Sequence, residues 1–355
     1  MKSSIEINNK NEVHLDWVDG LKGISAIIVV INHTICTLAG ASMLYQPNQP
    51  PIIHNLYDGN FAVSIFIILS SILVCHGMEK HRDNILKRYH YLVLKRYFRI
   101  LIPVGFIVIV MYLSNLLGLF YAEEYGIKTG NDWLMGQYIE LKDLFGCVFA
   151  APLGKCYKVL NVGWMLGYIF IATFWVILMD ILTNGKSAKV RLMLLAICYY
   201  IALRTDFYYI NVVAGFALYS FRNCITQNTW KWLLLICALA GFIVSDFIKY
   251  TEMWNMLRAI LLVTMVFCVG SLQEFFSYSL FKWLGKISMN IYLLQLFVLY
   301  AFTCRLADIM PTSLSSNIIL YMSTLLFVVL IAWLFSTFVE PVLNKVTDSI
   351  THRLQ

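Results

Sequence analysis

Trp17–Leu38 reads WVDGLKGISAIIVVINHTICTL. A bilayer span takes about 20 predominantly apolar residues, and this stretch has that length and character. It also carries Lys22, Asn32 and His33. Lys22 and His33 are 11 residues apart, close to three helical turns, so both fall on one face about 16 Å apart along the axis. An ionisable side chain inside a span is costly and marks a functional candidate. Two simpler roles stand beside that one. Lys22 can pair with Asp19 at i,i+3 and snorkel, and His33 can hydrogen-bond a neighbouring helix.

Similar runs recur along the chain. They are expected at 17–38, 60–78, 100–121, 161–182, 191–203, 207–221, 231–248, 257–276, 287–305 and 315–338. Hydrophobic residues make up 60% of the chain and charged residues 13%, against about 25% charged in soluble domains. The expectation is an all-α polytopic integral membrane helix bundle of about ten transmembrane helices. Arg204, Thr205 and Asp206 break the run between the fifth and sixth, which are short. The segment before the first span holds Glu6, Glu12, Asp16 and Asp19, unlike a short basic signal n-region, so that helix is expected to stay uncleaved. With the N-terminus inside, inner segments hold 18 Lys/Arg and outer segments 6, which places both termini in the cytoplasm. The domain reading is a cytoplasmic segment at 1–16, a transmembrane domain at 17–343 and a cytoplasmic tail at 344–355.

The net charge of +7 follows from this positive-inside bias, so no nucleic-acid partner is implied. The nine cysteines show no metal-ligand spacing, and no metal is expected. Cys147 and Cys156 share the long outer loop, about 122–160, and either a disulfide or two free thiols fits. The 79–99 segment holds Lys80, Arg82, Lys87, Arg88, Lys95, Arg96 and Arg99 against Glu79 and Asp83. Most of these read as a topology signal and anionic-lipid contacts. Arg96 and Arg99, at i,i+3, have the fork geometry that suits phosphate.

Several short motifs together resemble the acyltransferase 3 family, membrane-bound bacterial O-acyltransferases. Lys22, ten residues, then His33 matches its opening pattern, with Lys where Arg is usual. Phe66-Ile67-Ile68-Leu69-Ser70-Ser71 resembles its Phe-Phe-x-Leu-Ser-Gly signature, and Arg96-Tyr97-Phe98-Arg99 its Arg-x-x-Arg. Trp164-Met165-Leu166 resembles its Trp-x-Leu stretch, with Ile169 where an acidic residue often stands. Leu284-Gly285-Lys286-Ile287-Ser288 followed by Ile291-Tyr292-Leu293-Leu294-Gln295 resembles its late motif, with Gln295 in place of His. Glu340-Pro341 also fits, so the resemblance covers about 15–343.

The resemblance implies transfer of an acyl group, acetyl first of all, from cytoplasmic acyl-CoA to a hydroxyl of a cell-surface or lipid-linked glycan. It implies a multi-pass protein of the bacterial cytoplasmic membrane, in contact with membrane lipids and with no permanently bound cofactor. Lys22, Arg96 and Arg99 would hold the donor's phosphates. His33 would act as general base or as a covalent acyl relay. Ser70, Trp164, Ser288, Asn290 and Tyr292 are positioning candidates. The alternative is a transporter of a glycan or small polar substrate, with His33, Asp206 and Arg204 in a proton or substrate relay.

Overall fold

The computed structural model describes residues 15–40, 56–79, 85–135, 140–156, 159–225, 228–245, 252–311 and 313–353. Lys80, Arg82 and nearly all of the expected N-terminal segment lie outside the described residues. Among the described residues the fold is all-helical, with no strand. The long elements are α1 (Asp16–Ala39), α2 (Gly59–Glu79) and α3 (Ile85–Leu116). The loop that follows contains α4 (Ala122–Thr129), a 3-10 turn at Asp132–Leu134 and α5 (Leu141–Ala150). Next come α6 (Trp164–Thr183), α7 (Ala188–Thr205), α8 (Tyr208–Ser220), the single turn α9 (Arg222–Ile225) and α10 (Asn228–Ser245). The chain continues through α11 (Glu252–Cys268), α12 (Gly270–Phe276), α13 (Ser279–Lys286) and α14 (Ser288–Val298). A π segment at Leu299–Thr303 leads into α15 (Cys304–Ile309). The last pieces are α16 (Leu314–Leu334), a second π segment at Phe335–Val339 and α17 (Glu340–Arg353).

Among the described residues, six helical stretches are long and apolar enough to cross a membrane. They overlap the first four and last two expected spans, the third running Tyr89–Leu116 rather than 100–121. The other four expected spans are helical too, but shorter or broken. α7 carries Lys189, Arg191 and Arg204. α11 and α12 bend by 103° at Val269. Asp206 makes the break between α7 and α8: its backbone N–H closes on Ala202, and its carboxylate accepts from the Tyr208 N–H at 3.0 Å. That carboxylate caps the next helix. The last helix does not stop near 338, because the π segment at Phe335–Val339 carries the chain without a break into α17.

Which faces are buried follows from lipid as solvent. On α16, Ile318, Met322, Leu326 and Leu330 form an exposed apolar stripe at four-residue spacing. Such a stripe is stable against acyl chains and unfavourable against water. On the loop helix α5, Leu141, Phe145 and Phe149 repeat the pattern and Leu153 extends it. This helix of the 122–160 segment packs on α3.

α2 is the central helix and packs against α1, α6, α8 and α11. Tyr208 meets Asn60 at its start, and Tyr219 meets Glu79 at its end. α2 and α8 therefore run parallel, and α2 serves as a ruler of depth. Small residues allow the closest approaches. A Cβ on Gly285 would lie 2.0 Å from the Asp19 carbonyl oxygen, and one on Gly20 only 1.8 Å from that of Phe276. α1 thus crosses the α12–α13 segment in backbone contact, the small-residue packing expected where lipid supplies no hydrophobic drive.

Candidate active site

His33 sits toward the C-terminal end of α1, half-buried. Its Nδ1 lies 3.1 Å from Oε1 of Gln295 on α14. The Trp133 indole stacks on the imidazole at 5.8 Å between ring centres and 19° between planes. Tyr300, in the first π segment, meets the edge of Trp133 at 6.5 Å. Asn131 holds Trp133 in place. Its side-chain N–H groups donate to the carbonyls of Cys36 at 2.8 Å and Thr37 at 3.0 Å, and its oxygen accepts from the Trp133 N–H at 3.2 Å. The Cys36 carbonyl already accepts from the Gly40 N–H at 3.2 Å, so the loop amide adds a second bond there without displacing the helix bond. Asn32 donates to the Tyr57 carbonyl at 2.8 Å, which sets His33 level with the start of α2.

Arg96 lies deeper. Its guanidinium donates to the Ser70 hydroxyl. Ser70 is 11 residues into α2 from Gly59, about 16 Å below the His33 level at 1.5 Å per residue. Arg99, one turn further along α3, is exposed. The two arginines expected to act as a pair therefore separate, one turned into the bundle and one outward. Between the two levels stands Tyr292, fully buried, edge-on to Phe66 at 6.3 Å, with its hydroxyl donating to the Val162 carbonyl. At the far end of α2, Glu79 accepts from Arg222 at 2.5 Å and from Tyr219 at 2.6 Å.

The other expected residues have local partners. The Lys22 ammonium pairs with Asp19 at 2.7 Å, the i,i+3 pairing weighed from sequence. Ser288 donates to the Gly285 carbonyl at 2.7 Å. Asn290 donates to Glu340 at 2.7 Å, beside Ser336 at 2.9 Å. These two tie α14 to α13 and to α17, at least one helical turn from Gln295. Trp164 packs on Tyr168 and Tyr208, level with His33 through the bond of Tyr208 to Asn60 at 3.0 Å. Asp206 receives the Tyr168 hydroxyl and caps α8, while Arg204 is exposed. Among the described residues no hydrogen bond or ion pair joins Arg204, Asp206 and His33. Cys147 and Cys156 are neighbouring buried thiols that hydrogen-bond each other.

The site thus comprises a half-buried imidazole held between an amide and an indole, with an inward arginine about 16 Å deeper. An imidazole near neutrality can take and return a proton or act as a nucleophile. A partly buried guanidinium suits an anionic or carbonyl-rich ligand. Asn131 and Trp133 escaped the sequence reading, since a loop 100 residues from His33 is brought onto it only by the fold. Gln295 was legible only as a departure from a motif.

The family model described as an acyltransferase domain, of the acyltransferase 3 type, matches residues 15–337. No curated protein and no solved structure matches the chain.

Proposed function

Because the chain belongs to the acyltransferase 3 family and is a membrane acyltransferase, we propose that it moves an acetyl or similar small acyl group from cytoplasmic acyl-CoA to a hydroxyl of a surface or lipid-linked glycan. The observation that carries this reading is the pairing of depths. His33 stands at one end of α2, and Arg96 lies inward on Ser70 about 16 Å deeper. The Lys/Arg asymmetry makes the Glu79 end of α2 cytoplasmic, sets His33 in the outer leaflet and puts both termini inside. The protein then sits in the bacterial cytoplasmic membrane. The phosphates of the donor bind at the basic inner side. Arg96 stands along the path of its arm, and the thioester reaches His33. Arg99 and Lys22 add positive potential at the inner mouth rather than a fork on one ligand.

His33 serves either as general base on the acceptor hydroxyl or as an acyl carrier. Tyr292 and Ser70 line the path through their contacts with Phe66 and Arg96. Trp164 lies on the acceptor side with Tyr168 and Tyr208. Ser288 and Asn290 hold α14 in register.

The test uses purified protein in liposomes with labelled acetyl-CoA on one side and a cell-envelope glycan extract on the other. Glycan-dependent CoA release with label on the glycan is expected, and its loss in His33→Ala with normal accumulation of the variant. Glycan crossing the membrane without CoA release would point to a transporter instead.

A further inference from the structure

We propose that Gln295 fixes the tautomer of His33, so that Nδ1 carries the proton and Nε2 is the reacting nitrogen. The argument begins with the amide. Gln295 is fully buried, and its Nε2 lies 2.9 Å from the Tyr292 carbonyl oxygen. A carbonyl oxygen can only accept, so the amide NH2 must face it. The opposite orientation would set two acceptor oxygens against each other and leave a buried NH2 without that partner, at a cost of roughly 1–3 kcal/mol. The Gln295 oxygen is thereby turned to His33 Nδ1 at 3.1 Å. An amide oxygen only accepts, so Nδ1 must donate. In a neutral imidazole the other nitrogen then holds a lone pair.

The rest of the site agrees. His33 Nε2 has no hydrogen-bond partner among the described residues, and the residue is half-buried rather than sealed. Trp133 stacked on the ring fixes its plane. The amide fixes the ring from the bundle side, and the free nitrogen is left for the reactants. Gln295 is a positioning residue in this scheme, since its hydrogen bonds among the described residues go to His33 and to its own helix.

This inference rests on the acyl-transfer reading for its chemistry, and both routes need the Nε2 lone pair. As general base, Nε2 takes the proton of the acceptor hydroxyl while its oxygen bonds to the thioester carbonyl carbon. The C–S bond then breaks, and the proton passes to the departing CoA thiolate. As acyl carrier, Nε2 bonds to the carbonyl carbon and the thiolate leaves. The hydroxyl oxygen then displaces the imidazole, and its proton goes to the thiolate. Neither route runs with a proton resting on Nε2.

The test reads the tautomer directly. The full chain is labelled with 15N-histidine, reconstituted in nanodiscs and examined by nitrogen NMR. The chain has seven histidines, and the His33 signals are those missing from His33→Asn. A protonated Nδ1 and a bare Nε2 are expected. Gln295→Glu keeps an acceptor within reach and should keep that pattern. Gln295→Leu should shift His33 toward Nε2–H and lower kcat for CoA release from acetyl-CoA by about tenfold, the worth of one buried hydrogen bond, with KM unchanged. A wild-type His33 with its proton on Nε2 overturns the proposal, whether or not Gln295→Leu accumulates. So does a Gln295→Leu protein whose spectrum and turnover both match wild type. Absence of any CoA release from the wild type would remove the acyl-transfer reading and leave the spectrum to decide the tautomer alone.

Discussion

Gly285→Ala should disable the protein although it touches neither reactant. A Cβ at Gly285 would lie 2.0 Å from the Asp19 carbonyl oxygen, 2.4 Å from its carbonyl carbon and 2.8 Å from its Cα. All three are backbone atoms of α1, so no side chain can rotate away. Relief to even a tight contact of about 3 Å means moving α1 off α13 by about 1 Å, since packed interiors have no slack. In an open helix, Gly→Ala gains close to 1 kcal/mol. Overpacking of this kind costs about 1–3 kcal/mol, and an immovable backbone partner belongs at the upper end. The net is a loss of about 1–2 kcal/mol in stability. The same shift carries His33 on α1 away from Gln295 on α14, and displacement by about 1 Å can cost on the order of a hundredfold in rate. The assay is the thermal unfolding midpoint of the detergent-solubilised protein, with CoA release measured in parallel. Gly146→Ala is the control: it also sits in a helix, and nothing lies within 4 Å of its Cβ. Gly285→Ala should lower both readouts, and Gly146→Ala neither. A Gly285→Ala protein with wild-type midpoint and turnover would refute the backbone contact between α1 and α13.

Arg96→Ala should raise KM for acetyl-CoA by about tenfold or more, the worth of a charge-assisted hydrogen bond, while Arg99→Ala, with its exposed side chain, should change it little. Equal effects in titrations of KM would restore the paired reading of the two arginines. Trp133→Ala should lower kcat while leaving acetyl-CoA affinity unchanged, because the indole stacks on the His33 ring and orders it. Asn131→Ala should act in the same direction through loss of its bonds to Cys36 and Thr37, read by the same assay. Oxidation of membranes followed by mass mapping should link Cys147 to Cys156, whose thiols already touch. Separate labelling of both thiols after oxidation would contradict that.

The run from Trp17 to Leu38, the other apolar stretches and the Lys/Arg counts settle a helical membrane protein without reference to any partner. Helix and hydrocarbon thickness are local matters of length, hydropathy and one-dimensional order. The motif order around Lys22, His33 and Arg96 likewise identified the family. Partnership could not be read that way. The spacing of Lys22 and His33 put both on one face, yet Lys22 turned to Asp19 while His33 met Gln295, 262 positions away. Arg96 and Arg99 are three positions apart, but only the rotation of α3 within the bundle decided which one faced Ser70. Where spans are short, as at α7 and α8, or bent, as at Val269, length ceases to discriminate and tertiary contacts hold the chain in place. Side-chain partners in a bundle depend on helix rotation and crossing. Those are set where Gly20, Gly23 and Gly285 let two backbones touch, and no periodicity within one helix encodes what stands opposite.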